Sequence, residues 1–322
     1  MQDALGRTVR YLRLSITKAC QSRCIYCWPE TAAAAQDEPM LRAREIESLV
    51  GHLVERHGIR KVRLTGGEPT SRADLLEIVR RLAPIRGLGE LVMTTNGLTL
   101  AAQARALKEA GLGRVNVSLD SLDAATYRRL TGVDGLALVL KGVDAALAAG
   151  LTPVKLNVVV VRGENEDEVS DLLLYAVDKG LEIRFIELLP MGPLAGQWEK
   201  RFVPESEVRQ RLSEVATTWR AGADSHDAAR RYSVRLPCGR RATVGFVSAM
   251  SCPFCETCDR IRIAADGALY PCLMDERAGS LLGALRPRFD ATAIDKVLFD
   301  GLNRKAKEHP ATGGAVMAHV GG

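Results

Sequence analysis

Cys20-Gln21-Ser22-Arg23-Cys24-Ile25-Tyr26-Cys27 sets three cysteines at x3 and x2 spacing. The stretch follows directly on Tyr11-Leu12-Arg13-Leu14-Ser15-Ile16, an alternating run whose period of two predicts a short strand. Zinc sites pair one Cys-x2-Cys with a second pair and close with four ligands. Here three thiols cluster, and no histidine follows at ligand spacing. A cubane iron–sulfur cluster normally takes four cysteines. Three leave one iron free for an outside ligand, as an open zinc site keeps one position for chemistry.

With an aromatic residue, Tyr26, before its last cysteine, the stretch resembles the signature of the radical S-adenosylmethionine (SAM) superfamily. In that superfamily the open iron holds the amino and carboxylate groups of SAM, whose reductive cleavage gives a 5′-deoxyadenosyl radical. Three buried or zinc-binding cysteines are the competing reading.

Outward from the loop, the pattern repeats. Ile46, Leu49, Val50, Leu53 and Val54 lie on one helical face that stops before Gly58. Strands are predicted at 61–65, 90–95, 114–119, 153–161 and 182–188. Helices are predicted from 75 to 82, to about 110, within 123–149 and over 166–179. Six short-linked strand–helix units imply parallel strands with right-handed crossovers. The expected fold is α/β, a partial (β/α)6 barrel, with an open doubly wound sheet as the alternative. Either way, binding groups belong at the carboxyl ends of the strands. There stand the cysteine loop, Gly66-Gly67-Glu68-Pro69, Thr94 to Asn96, Ser118 with Asp120, and Glu187.

Past Pro190 the pattern changes. Residues 191–196 read as a linker and 204–215 as a helix. Residues 231–236 and 242–247 read as a hairpin, and 291–307 as a helix before a glycine-rich tail. The expected division is a barrel over 1–200 and an α+β extension over 201–322. Segment 31–39, alanine-rich and closed by Pro39, reads as mobile surface.

At 322 residues the chain can bury an ample core, and 47% hydrophobic with 26% charged residues is ordinary for a globular protein. No apolar run approaches the roughly 18–20 residues that span a bilayer. No apolar signal core opens the chain, so a cytoplasmic location is expected. Eight cysteines in a reducing compartment point to metal ligation rather than disulfides. A net charge of +5 permits an anionic substrate.

The second cysteine group is Cys255-x2-Cys258-x13-Cys272, with Arg260 and Arg262 just after Cys258 and Asp266-Gly267 before Cys272. Together with Leu12 to Ser15, Thr65 to Pro69, Thr94 to Gly97, Asn116 to Ser121, Arg184 to Glu187 and the terminal Gly-Gly, it resembles the GTP 3′,8-cyclase family of molybdenum-cofactor biosynthesis. The resemblance implies a radical SAM lyase with two 4Fe–4S clusters facing one cavity, the second carried by the C-terminal extension. It implies hydrogen removal from C3′ of GTP and attack of that carbon on C8, giving 3′,8-cyclo-7,8-dihydro-GTP.

Matched by motif, Cys20, Cys24 and Cys27 would hold the first cluster, and Cys255, Cys258 and Cys272 the second. SAM would meet Tyr26, Gly67, Glu68, Ser118 and Leu189. GTP would meet Arg13, Arg63, Thr94, Lys155, Arg260 and Arg262. Arg260, Arg262, Gly321 and Gly322 would shape the reaction chamber, the glycine tail threading toward it; a frayed terminus is the alternative. An electron donor such as a flavodoxin or ferredoxin and the next pathway enzyme, cyclic pyranopterin monophosphate synthase, are the implied partners. The chain would work as a monomer or homodimer, with no nucleic acid and no membrane.

Five positions depart from the family pattern: Lys18, Gln21, Trp28, Leu189 and Asp259. Asp259 would repel a triphosphate unless Arg260 or Arg262 pairs with it. Ala315-Val316-Met317 stands where many relatives carry Arg-Pro-Met. Cys252 could complete the second cluster in a ferredoxin-like register, or leave three ligands and an open iron. The rival functions are a radical SAM enzyme acting on a peptide or small metabolite, and a zinc-bearing nucleic-acid module. The second lacks basic stripes with interleaved aromatics, aromatic content being 5%.

Overall fold

The computed structural model describes residues 1–27, 39–222, 227–313 and 317–321, the side chains of 318 and 319 excepted. Segment 31–38, Trp28, Ala315, Val316 and Gly322 lie outside the described residues. Up to residue 187, strands alternate with helices: β1 (Tyr11–Ser15), α1 (Ala43–His57), β2 (Lys61–Thr65), α2 (Leu75–Leu82), β3 (Glu90–Thr95), α3 (Leu100–Glu109), β4 (Arg114–Ser118), α4 (Ala124–Thr131), α5 (Leu136–Ala148), β5 (Lys155–Val160), α6 (Val169–Lys179) and β6 (Glu182–Glu187). β1 to β6 pair in sequence order, all parallel. The arrangement is the expected α/β barrel, left open.

Alternation decides what faces where. Leu12, Leu14, Val62, Leu64, Val115, Val117, Leu156, Val158, Ile183 and Phe185 join the core beneath the helices. The intervening residues Tyr11, Arg13, Arg63, Asn116, Asn157 and Arg184 line an internal cavity instead. The outer layer is amphipathic: Ile46, Leu49, Val50, Leu53 and Val54 of α1 are all essentially inaccessible, each worth about 1.5–3 kcal/mol of burial. These inward-facing strand residues are polar or charged, which leaves the barrel interior for a ligand rather than for packing.

The remaining elements are α7 (Trp198–Arg201), α8 (Glu205–Leu212), β7 (Thr218–Ala221), β8 (Arg230–Arg235), β9 (Arg241–Val247), β10 (Arg260–Ile263), β11 (Ala268–Tyr270), β12 (Gly279–Ser280), α9 (Leu282–Leu285), α10 (Ala291–Asn303) and α11 (Met317–Val320). β8 and β9 form the expected hairpin. β9 also adds in parallel beside β6, and β10 in parallel beside β1. One twelve-stranded sheet results, ordered β12-β11-β10-β1-β2-β3-β4-β5-β6-β9-β8-β7. The C-terminal part therefore flanks the six-stranded core at both edges.

Two sequence expectations need correction. The 191–196 linker is a short 3-10 helix over Gly192–Gln197, with Met191 buried beneath it. The last long helix ends at Asn303, and the chain from 304 turns toward the second cysteine group. His52 and His57 of α1 share one oxygen of Asp295 on α10, at 2.6 and 2.5 Å, which ties the C-terminal helix to the barrel. No helix among the described residues is long and apolar enough to cross a membrane.

Candidate active site

The first cysteine loop is held from three sides. Cys24, Ile25 and Cys27 pack on a satellite apolar cluster of Tyr26, Leu130, Val161, Leu188 and Leu194. The Tyr26 hydroxyl donates to Asp120 Oδ2 at 2.5 Å, while Asp120 Oδ1 accepts from the Val159 amide. Burial pushes Asp120 up to about 6 despite both hydrogen bonds. Asn96, at the end of β3, donates to Gln21 and Ser22 and reaches the Cys20 sulfur at 4.0 Å. Burial also pushes the three thiols up, Cys27 to about 12. Binding to metal is what would deprotonate them.

Gly66-Gly67-Glu68 supports the loop from below. A Cβ on Gly67 would lie 2.3 Å from the Ala19 carbonyl oxygen, and one on Gly66 2.5 Å from that of Thr17. The close approach these glycines permit is thus to the backbone of the cysteine loop. Glu68 is buried; its Oε1 accepts from the Thr70 amide and hydroxyl and the Thr95 hydroxyl, its Oε2 from the Asn96 amide. Burial raises its pKa against those bonds. Oε2, with a single partner, keeps capacity for a further donor such as an ammonium group.

Sheet register builds the cavity's cationic wall. Arg13 stands opposite Arg63 on β2 and Arg262 on β10; Tyr11 stands opposite Lys61 and Arg260. Three guanidinium groups thus sit side by side across adjacent strands, about 4.8 Å apart in backbone spacing. Like charges at such positions destabilise a sheet unless an anion relieves them. Burial and neighbouring guanidinium groups lower Arg13 to about 10, and the same causes push Arg262 down. Tyr11, which burial alone would push up, is brought down to about 7 by Arg63, Arg13 and Lys61. Arg63 donates to the Tyr11 hydroxyl and, at 3.0 Å, to the Thr94 hydroxyl.

Cys255, Cys258 and Cys272 line the same cavity, with Phe254, Leu273, Met274 and His309. Cys252 is exposed and opens on a different face beside Glu205, Ser206 and Arg209, its sulfur against Arg230. Neither cysteine trio has all three sulfurs within 4.8 Å of one another. One zinc ion, with Zn–S of about 2.3 Å, would draw them to roughly 3.8 Å. Wider spacing suits a cluster in which each cysteine binds its own iron. Three free thiols at each site are the donor set that a cubane takes.

Two conditions set by the sequence are met. Asp259 accepts from Arg260 Nε at 3.4 Å, and Arg260 stacks over the Phe254 ring at 4.8 Å. Gly321 is buried at a φ of 75°, its carbonyl accepting from Arg262 and, at 3.5 Å, from Arg13. The tail therefore enters the barrel beside the arginine row.

Of the residues matched to SAM, Leu189 lines the cavity, while Tyr26, Gly67, Glu68 and Ser118 gather around the cysteine loop and the strand ends. Of those matched to GTP, Arg13, Arg63, Arg260 and Arg262 line the cavity, and Thr94 touches Arg63. Lys155 does not reach that lining. Its ammonium is paired with Glu182 at 2.7 Å in a basal cleft with Arg10, Lys61, Arg114 and Arg231. Tyr11 and Asp227 line both spaces, so the two adjoin.

Sequence reasoning missed Asn157, whose buried Oδ1 lacks a partner among the described residues while the side chain lines the cavity. It also missed Asp227, which pairs with Arg184 at 2.8 Å and Arg231 at 3.1 Å. Arg7, whose guanidinium caps the Cys255 carbonyl at 2.8 Å, was missed as well. Asn157 alternates into the interior like Arg184, a signal that was available; Asp227 and Arg7 lie in irregular chain without one.

Comparison with known proteins bears on this site. The Radical SAM superfamily model matches residues 14–176, and the Molybdenum Cofactor Synthesis C model residues 181–311. A protein of Moorella thermoacetica named GTP 3′,8-cyclase is 42% identical over 327 residues, covering 100% of both chains. One of the same name from Pelotomaculum thermopropionicum is 40% identical over 332 residues, again covering 100% of both. Among solved structures, Streptococcus suis SuiB bound to precursor peptide SuiA superposes with a TM-score of 0.62 at 14% identity, over 95% of this chain and 72% of that one. Native anSMEcpe with bound AdoMet gives 0.60 at 15%, over 92% and 82%. At such identity these two structures bear on the fold alone.

Proposed function

The chain belongs to the GTP 3′,8-cyclase family of radical SAM enzymes and converts GTP into 3′,8-cyclo-7,8-dihydro-GTP, and from that premise we propose how its residues divide the work. Two 4Fe–4S clusters and SAM are its cofactors. When bound, SAM and the first cluster would supply the radical chemistry that removes hydrogen from C3′ so that C3′ can bond to C8, the base then taking one electron and one proton to give the 7,8-dihydro product. The protein's own contribution is placement, charge and enclosure.

Cys20, Cys24 and Cys27 hold the first cluster, on the loop braced by Asn96, Tyr26–Asp120 and Gly66–Gly67. Tyr26, Gly67, Glu68, Ser118 and Leu189 hold SAM, with Glu68 Oε2 accepting from its ammonium. Cys255, Cys258 and Cys272 would hold the second cluster, three ligands that would leave one iron available to the guanine. Cys252, turned to another face, supports that three-ligand assignment.

The observation that carries the GTP assignment is the registered row Arg63–Arg13–Arg262 facing the cysteine-lined wall. A polyphosphate relieves that row, each guanidinium contact contributing about 1.5–3 kcal/mol. Thr94 orients Arg63, and Arg260 flanks the row from its stack on Phe254. Lys155 meets the phosphates through the basal cleft that adjoins the cavity. Gly321 brings backbone into the chamber where a side chain would not fit, so that Arg262 is steered by the tail.

Residues 1–200 carry the radical-generating cluster together with Arg13, Arg63, Thr94 and Lys155 for GTP, and 201–322 carry the second cluster with Arg260 and Arg262. A flavodoxin or ferredoxin supplies the electron in the cytoplasm. The product passes to cyclic pyranopterin monophosphate synthase, and the chain acts as a monomer or homodimer. A peptide-modifying activity is not favoured, because the full-length relatives near 40% identity carry the cyclase name. Anaerobic incubation with GTP, SAM and reductant should yield 5′-deoxyadenosine and a cyclised nucleotide together. Deoxyadenosine formed at the same rate without GTP, and no cyclised product with it, would overturn the assignment. Arg260→Ala should weaken GTP use while both clusters stay loaded.

A further inference from the structure

We propose that Lys305 is a positioning residue for the second cluster, its buried ammonium serving as counter-charge to the Cys258 thiolate and raising that cluster's reduction potential. The inference rests on the cluster assignment above. Lys305 is 5% exposed, just beyond the end of α10. Its Nζ donates to Cys258 Sγ at 3.4 Å and to the Arg260 carbonyl oxygen.

A buried ammonium needs a compensating charge, since isolated burial costs several kcal/mol. Among the described residues no carboxylate pairs with Lys305, whereas Lys18 and Lys155 each have an aspartate or glutamate. Among the described residues, the acidic group within its reach is Cys258, whose sulfur would be a thiolate once it binds iron.

The contact is braced. The Lys305 amide donates to Leu302 at 3.1 Å. Arg7 binds the Lys305 and Ala306 carbonyls at 3.3 and 2.9 Å while capping the Cys255 carbonyl. Residues 305–307 are thereby strapped to the cysteine turn, and the ammonium is fixed between a cluster ligand and the backbone of Arg260. A fixed cation beside a cluster favours the form with one more electron. Removing it should make reduction harder without disturbing the first cluster.

The test compares Lys305→Met, which keeps bulk and removes charge, with Lys305→Arg, which keeps charge. Anaerobically reconstituted full-length proteins are titrated with dithionite under electron paramagnetic resonance. The first cluster, identified by its response to SAM, is the internal reference; the second is identified by its response to GTP. The Met variant should need at least a tenfold more reducing condition for the second cluster, a fall of about 59 mV for one electron, with the Arg variant near wild type. Loss of the second cluster in Met but not in Arg would support the same role. An unchanged potential in Met, or equal loss in Met and Arg, would overturn it. Were wild-type protein to hold no second cluster, the assignment above would fail instead.

Discussion

Gly321→Ala tests the docked tail with one methyl group. Gly321 sits at a φ of 75°, and a Cβ there would lie 2.2 Å from Thr65 Cγ2 and 2.9 Å from Thr65 Oγ1. Left-handed backbone costs a residue with a Cβ about 1–2 kcal/mol. Overpacking against a buried side chain adds about 1–3 kcal/mol. The sum is at least about 2 kcal/mol, which weakens docking roughly 30-fold. Freed from the Gly321 carbonyl, Arg262 would no longer be held along the cavity wall. Product formation under anaerobic steady state should fall tenfold or more. Iron content and melting temperature should stay near wild type, because the barrel core is untouched. Adding Thr65→Ser removes the closest clashing atom and should restore part of the loss, a coupling read by a double-mutant cycle. A Gly321→Ala protein that turns over like wild type would refute the docking argument.

The other expectations concern separate parts of the site. Gly67→Ala drives a methyl group into the Ala19 carbonyl and should cost the first cluster but spare the second, halving bound iron; an equal loss from both would contradict this. Burial and Arg184, opposed by Glu182, lower Lys155 to about 8. Its charge is present below that pH and lost above it, so KM for GTP should climb as pH rises from about 7.5 to 9. Lys155→Arg should flatten the climb, and Lys155→Met should raise KM tenfold or more already at pH 7, one charged contact being worth about 1.5–3 kcal/mol. Cys252→Ser should leave iron and sulfide per chain unchanged; loss of the second cluster would make Cys252 its fourth ligand.

Local periodicity carried most of the barrel. Lys61–Thr65 and Glu90–Thr95 were readable to the residue, because alternating or continuous apolar runs end at glycine- or asparagine-bearing turns. The insertion of β10 beside β1 was not readable. Tyr11 and Arg260 are paired across most of the chain, and nothing in a four-residue strand names so distant a partner. That pairing turns Arg260 and Arg262 from a local motif into part of one cationic wall with Arg13 and Arg63. Lys155 was assigned by motif alone; its place at the start of β5 sets it at the opposite end of the strand from the rim. Lys305 lies in Arg304-Lys305-Ala306-Lys307, a run that periodicity assigns to the end of the last helix. Only the fold reveals its ammonium turned inward to a cysteine.

The most direct measurement is an iron and sulfide count on anaerobically reconstituted protein, followed by pulsed electron paramagnetic resonance with 15N-labelled GTP. Two cubanes require about eight irons per chain, and an open iron on the second should show coupling to guanine nitrogen. About four irons per chain, or no nitrogen coupling on adding GTP, would contradict the claim that the chain carries two clusters, the second open to GTP.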